Sequence, residues 1–222
     1  MKVALTGNPN SGKTTLFNAI TGRIEKVGNW AGVTVDKKEG DVKAQYNNTG
    51  KVVTVVDLPG AYSMSPYTSE ESITRSFVKG ESPDVLINIV DATNLSRSLF
   101  FTTQLLELNI PVVVALNKTD MNRKKKNGID AAKLASVLGC QVVETVSTTG
   151  EGFGKLIEEV TSIVGEGQVA PFNSTGVDMS SRESVESFDL KRYEYVKKIV
   201  TKVENRSQAS NRQTKQDVAD RI

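Results

Sequence analysis

The chain has 222 residues, 38% hydrophobic and 24% charged, with a formal net charge of +2; that suits one full domain and a small addition, and is too little charge for a dedicated nucleic-acid binder. With no histidine and one cysteine, Cys140, the sequence excludes imidazole acid–base catalysis, a disulfide framework and a zinc ribbon. The longest apolar run, Ile110–Leu116, falls far short of the ~18 residues of a membrane span, and the amino terminus carries no signal-peptide core, so a soluble, cytosolic chain is expected.

Lys2–Thr6 reads as a buried strand, and Gly12–Thr21 as a helix closed by Gly22. Residues 23–36 show no clean period and read as a loop. Lys37–Tyr46 and Lys51–Asp57 read as the two strands of a hairpin turning at residues 47–50. After an irregular stretch, Thr68-Ser69-Glu70-Glu71 is a capping-box signature for a helix that Gly80 ends. Asp84–Asp91 is the next buried strand and Asn94–Asn109 a helix. Pro111–Asn117 is a strand, Asp130–Leu138 a helix, Gln141–Val146 a strand and Gly152–Val164 a helix. Strands that are apolar throughout and alternate with helices predict an α/β fold, a mostly parallel sheet covered on both faces. Residues 165–189 are Ser/Gly-rich, with a helix start at Ser180, and 189–205 reads as an amphipathic helix. The division expected is 1–165 as the main domain and 166–222 as a small helical one.

The strongest motif is Gly7-Asn8-Pro9-Asn10-Ser11-Gly12-Lys13-Thr14, a GxxxxGK[ST] placed between a strand and a helix. The glycines let backbone amides wrap a phosphate, Lys13 reaches the β/γ-phosphates, and Thr14 offers its hydroxyl to Mg²⁺. That motif alone does not choose between adenine and guanine. Asn117-Lys118-Thr119-Asp120 does, because a carboxylate at Asp120 is a pure acceptor that suits guanine's N1–H and 2-amino donors. Asn117 ties this motif to the phosphate loop and the Lys118 stem lies over the base. Asp57-Leu58-Pro59-Gly60 closes a strand, with Asp57 suited to a Mg²⁺ water and the Gly60 amide to a γ-phosphate. Thr34 is the second hydroxyl candidate for Mg²⁺. Ser147, Thr148 and Thr149 follow the last strand and offer a backbone amide to guanine O6.

In this order the five pieces resemble the TRAFAC-type, Ras-like P-loop GTPases. Where many of those carry a glutamine to orient water, this chain has Ala61, so intrinsic hydrolysis is expected to be slow. The loop Gly28-Asn29-Trp30-Ala31-Gly32-Val33-Thr34-Val35, with GNPNSGKTTLFNAITG, DLPGAYSMSPYTSEE and RYEYVKKIV, is similar to the N-terminal cytosolic domain of the ferrous iron transport protein B family, over residues 1–160 and again over 190–204. The resemblance implies GTP and GDP as ligands, with Mg²⁺. The implied nucleotide contacts are Gly7, Asn8, Asn10, Ser11, Gly12, Lys13, Thr14, Thr15, Gly32, Val33, Thr34, Asp57, Gly60, Asn117, Lys118, Asp120, Ser147, Thr148 and Thr149. It also implies a small helical domain, for which the stretch from Val164 to Lys191 is short, and then a membrane domain, just before which this chain is read as ending. Some members of the family are stimulated by K⁺; there the residue matching Asn10 binds the ion, and carbonyls around Gly28 and Trp30 complete its site. The expected setting is the cytoplasmic face of a bacterial inner membrane, with the transporter's own membrane domain as partner and no nucleic acid. A ribosome-assembly GTPase and a non-hydrolysing GTP-binding scaffold are the alternatives. Trp30 is expected to be exposed or mobile near the nucleotide.

Overall fold

The computed structural model describes residues 1–30, 36–64, 69–124, 127–174, 177 and 181–205. Its central strand is β1 (Lys2–Gly7), flanked in parallel by β4 (Thr54–Asp57) and β5 (Val85–Asp91). Two more parallel strands, β6 (Val112–Asn117) and β8 (Gln141–Thr145), extend that half of the sheet. On the other side β3 (Asp36–Val42) runs antiparallel to β4, and β2 (Thr21–Asn29) is the edge, giving the order β2-β3-β4-β1-β5-β6-β8.

The central strands are apolar on both faces because both faces are covered. Leu86, Val90, Val112, Val114 and Leu116 point to one side and join an apolar cluster with residues of α2 (Ser69–Glu81), α3 (Leu95–Leu105), α5 (Ala131–Leu138) and α7 (Arg182–Val203). Val85, Ile87, Ile89, Val113 and Ala115 point to the other and meet α1 (Lys13–Ile20) and α6 (Phe153–Ser162). The α/β class with a mostly parallel sheet is therefore as the alternating pattern predicts. Among the described residues no helix is long and apolar enough to cross a membrane.

Several elements differ from the sequence reading. Within 23–36, the described part is not a loop but most of β2, whose register shifts between Thr21 and Ile24 and between Lys26 and Gly28. Each shift adds a residue to one strand and breaks the alternation of side chains, which is why no period is visible. The strand expected over 37–46 stops at Val42, and Ala44–Tyr46 forms one 3-10 turn. Gly80 lies inside α2, which continues to Glu81, while Thr68 of the capping box lies outside the described residues. Trp30 is buried, not exposed: it packs edge-on against Phe77 at 5.4 Å between ring centres, with the Lys37 ammonium 5.3 Å from its ring. An indole beside a helix face loses more by hydration than a loop sequence suggests.

The carboxyl-terminal helix α7 starts earlier than expected, where the Ser181 hydroxyl accepts from the Ser184 amide. Near its middle a charged residue forms a packed centre. The Arg192 guanidinium lies 5.0 Å from the ring of Phe172 and 5.1 Å from that of Phe188, donates to Thr103 Oγ1, and pairs with Glu107 at 2.5 Å. Val196, Ile199, Val200 and Val203 continue the same face into the cluster around α3 and α5. At its end, β9 (Glu204–Asn205) pairs antiparallel with β7 (Gly128–Ile129). The Asp130 amide donates to the Val203 carbonyl, and the Asp130 carboxylate caps α5.

The Arg192 side chain is 3% exposed and that of Glu107 16%. Removing the cation leaves the largely buried Glu107 carboxylate with only Ser174 as partner and opens a hole against the rings of Phe172 and Phe188. Arg192→Ala is expected to lower the unfolding free energy by about 3 kcal/mol, read as a lower urea midpoint at an unchanged slope.

Candidate nucleotide site

Loops at the carboxyl ends of β1, β4, β5, β6 and β8 meet at one rim of the sheet, the edge where open α/β folds bind ligands. The loop from Asn8 to Gly12 leaves β1 and turns into α1. Asn10 adopts a left-handed conformation (φ 64°), as does Gly12 (φ 100°), which precedes the helix. No side chain caps α1 and its first turn holds no acidic residue. Its amino-terminal amides are thus left for an anion, with the positive end of the helix behind them. Ser11 Oγ and Asn8 Oδ1 are buried with no hydrogen-bond partner among the described residues.

Lys13 and Asp57 form an ion pair across this loop. Asp57 ends β4, and the chain after it runs beside β1: Leu58 N donates to Leu5 O at 3.0 Å and Ala61 N to Gly7 O at 3.2 Å. Gly60 lies so close to Pro9 that a Cβ there would stand 3.3 Å from the Pro9 nitrogen and Cγ. The methyl group of Ala61 is buried, so residue 61 presents no polar side chain. Tyr62 turns to α3, where the Arg97 guanidinium lies 4.2 Å from its ring. Arg97 also accepts, through its carbonyl, from the Asn8 amide at 3.2 Å.

Asn117 is the joint of the rim. Its Nδ2 donates to the Ser11 carbonyl at 2.8 Å, and its Oδ1 accepts from the Ser147 amide at 2.9 Å. One buried amide thereby clamps the phosphate-type loop to the turn after β8. Gly12 is what admits it, since a Cβ on Gly12 would meet Asn117 Nδ2 at 2.3 Å. Ser147 spends its amide here, and the Thr149 amide donates to Val146 O. Thr148, exposed, keeps an amide with no acceptor among the described residues. Ser147 Oγ is buried and also without a partner.

Lys118 follows in a left-handed conformation (φ 63°), and its ammonium donates to the Asn10 carbonyl at 2.7 Å and to Asp91 Oδ2 at 2.6 Å. Asp120 sits in the first turn of the short helix α4 (Thr119–Lys124), half-exposed, with Lys124 at 3.7 Å. Thr14 and Thr15 are exposed on α1. Gly28 lies in β2 (φ 125°) with Trp30 just beyond it, whereas Gly32, Val33 and Thr34 lie outside the described residues.

Among the described residues no three His, Cys, Asp or Glu side chains gather to hold a metal. The hard donors beside Lys13 are the carboxylate of Asp57 and the hydroxyl of Thr14. That set suits Mg²⁺, which takes few protein ligands and completes its shell with water and phosphate oxygens. Asp91 is the rim side chain that motif reading passed over. The signal was present in the sequence: like Asp57, it is a lone carboxylate that closes an apolar strand.

A family model described as "Ferrous iron transport protein B" matches residues 1–160. The chain belongs to that family. The Fe(2+) transporter FeoB of Salmonella typhimurium is 50% identical over 160 residues, which is 70% of this chain and 20% of the transporter. That of Escherichia coli K12 is 49% identical over the same span. The chain thus covers about a fifth of the length of these curated relatives. The cytosolic domain of L. pneumophila FeoB superposes with a TM-score of 0.81 at 30% identity, covering 93% of this chain and all of that one. A GDP-bound mutant of the S. thermophilus FeoB G-domain gives 0.76 at 32%, covering 92% of this chain and all of that one. The T. maritima cytosolic domain in its GMPPNP form gives 0.78 at 28%, with 92% and 99% covered. The fold of this chain is accordingly the Ras-like G-domain fold of the FeoB amino terminus.

Because Asn117 satisfies two buried backbone groups at once, Asn117→Ala strands the Ser11 carbonyl and the Ser147 amide. A loss of about 2–3 kcal/mol in unfolding free energy is expected, and faster hydrogen exchange at the Ser147 amide marks the broken clamp.

Proposed function

We propose that this G-domain binds GTP and GDP with Mg²⁺, hydrolyses GTP slowly, and through its nucleotide state regulates Fe(II) passage by the transporter's membrane domain at the cytoplasmic face of a bacterial inner membrane. The observation that carries the reading is the Asn117 clamp, which holds the base-reading motif and the phosphate-type loop at a fixed spacing. The GDP- and GMPPNP-bound relatives support it. In this division residues 1–165 are the nucleotide-binding unit, and 166–222 are the small helical continuation.

Lys13 exchanges its pairing with Asp57 for the β/γ-phosphates, and the α1 amides and the phosphate-type loop wrap the same oxygens. Thr14, Asp57 and Thr34 would hold Mg²⁺, which supplies charge neutralisation at the phosphates. Gly60 offers its amide to the γ-phosphate, and Gly32 and Val33 are further candidate contacts to the nucleotide. Asp120 accepts from guanine N1–H and the 2-amino group, the Lys118 stem covers the base, and the amide of Thr148 faces O6. Water is positioned without help from residue 61, since a methyl group cannot hydrogen-bond it, so turnover is slow. Asn10, with carbonyls near Gly28 and Trp30, would hold K⁺, which would supply positive charge to offset that developing on the phosphates.

Titration calorimetry with Mg²⁺ tests the binding: GDP is expected to bind at least 100-fold more tightly than ADP, because adenine leaves the Asp120 carboxylate unpaired. Asp120→Asn is expected to lose GDP and to recover binding with xanthosine diphosphate, whose 2-oxo group matches the new amide donor. Equal affinity for GDP and ADP would end the guanine reading. For the cation, phosphate release is expected to be faster in KCl than in NaCl, with the difference gone in Asn10→Ala; equal rates in both salts would remove K⁺ from the mechanism.

A further inference from the structure

At the rim, β5 and β6 lie side by side in parallel, with Asp91 directly opposite Asn117. Asp91 therefore ends its strand one residue away from Lys118. Its carboxylate is fully engaged. Oδ1 accepts from the Thr93 amide at 2.8 Å and from Thr93 Oγ1 at 2.7 Å, and Oδ2 accepts from the Lys118 ammonium at 2.6 Å. The backbone amide of Asp91 donates to Ser98 Oγ at 3.2 Å, so α3 fixes the residue from below. The pair is partly shielded, with the Lys118 side chain 28% and that of Asp91 16% exposed.

We propose that Asp91 is a positioning residue for guanine binding: it holds the Lys118 ammonium so that the lysine stem forms a fixed wall of the base slot. Lysine is a flexible four-carbon chain, and freezing it costs rotamer entropy that a ligand would otherwise have to supply. The Asn10 carbonyl alone gives the ammonium one weak anchor on a loop that itself contacts ligand. Asp91 gives it a second, charged anchor on the rigid end of a buried strand. Thr93, by occupying Oδ1, sets which oxygen faces the lysine. The slot is thus built before the base arrives. This inference rests on the nucleotide reading given above.

The test is a double-mutant cycle on GDP release, followed by stopped-flow fluorescence with an N-methylanthraniloyl-GDP probe in the presence of Mg²⁺. Asp91→Ala is expected to release the probe about tenfold faster than the wild type. In a Lys118→Ala background the same change is expected to matter by less than about twofold, because the residue it acts through is gone. Asp91→Asn keeps the side-chain shape and an acceptor for Thr93 but turns an amide donor toward the ammonium. It is expected to behave like Asp91→Ala while melting at the wild-type temperature, which separates positioning from folding. Release at the wild-type rate in Asp91→Asn would overturn the proposal, as would equal acceleration in both backgrounds. A wild-type chain that takes up no probe overturns the nucleotide reading together with this one.

Discussion

The structure depends first on one side-chain amide. Asn117 has a donor and an acceptor, and both are spent inside the protein, on Ser11 and on Ser147. A carboxylate of the same shape would repel the Ser11 carbonyl, and a leucine would satisfy neither group. Because Asn117 ends an inner strand whose residues are all buried, the clamp takes its position from the sheet and passes it to the two loops it joins. Gly12 is required by the same contact, since only a residue without Cβ lets the amide through. The two sides of the rim, the loop after β1 and the turn after β8, are spaced by this bridge rather than by their own sequences.

Behind the rim, α3 is the element through which the rest of the chain is anchored. Its Ser98 accepts from the Asp91 amide, its Thr102 accepts from Asn88 in β5, and its Arg97 carbonyl holds Asn8. From the other side Thr103 and the Glu107 just beyond the helix hold Arg192 of α7. Polar bonds on one flank and an aromatic-flanked ion pair on the other make the register of α3 hard to alter without breaking buried contacts.

What could be read from the sequence, and what could not, divides along physical lines. The inner strands were legible because burial on both faces makes them nearly continuous apolar runs, as in Val112–Leu116 and in Val85–Val90, which only the buried Asn88 interrupts. The motif loops were legible because glycine and charge sit at fixed offsets from those strand ends. β2 was not, since an edge strand with two bulges pairs on one side only and shows neither a run nor an alternation. Trp30 was misjudged because its neighbours are loop-like, while the partner that buries it, Phe77, is distant in sequence. The early turns of α7, before residue 189, were hidden for a similar reason: their sequence is polar, and the ring of Phe188 finds its partner, Phe172, outside the helix. Asp91 was passed over although, like Asp57, it closes an apolar strand, because its partner Lys118 follows the neighbouring strand and no local motif joins the two.

The small β7–β9 ladder has a mechanical consequence. Through β9 the end of α7 is tied to Gly128 and Ile129, a few residues after α4, the helix that carries Asp120. A load on that end of α7 would meet this two-rung ladder and the Asp130–Val203 bond before it met the sheet.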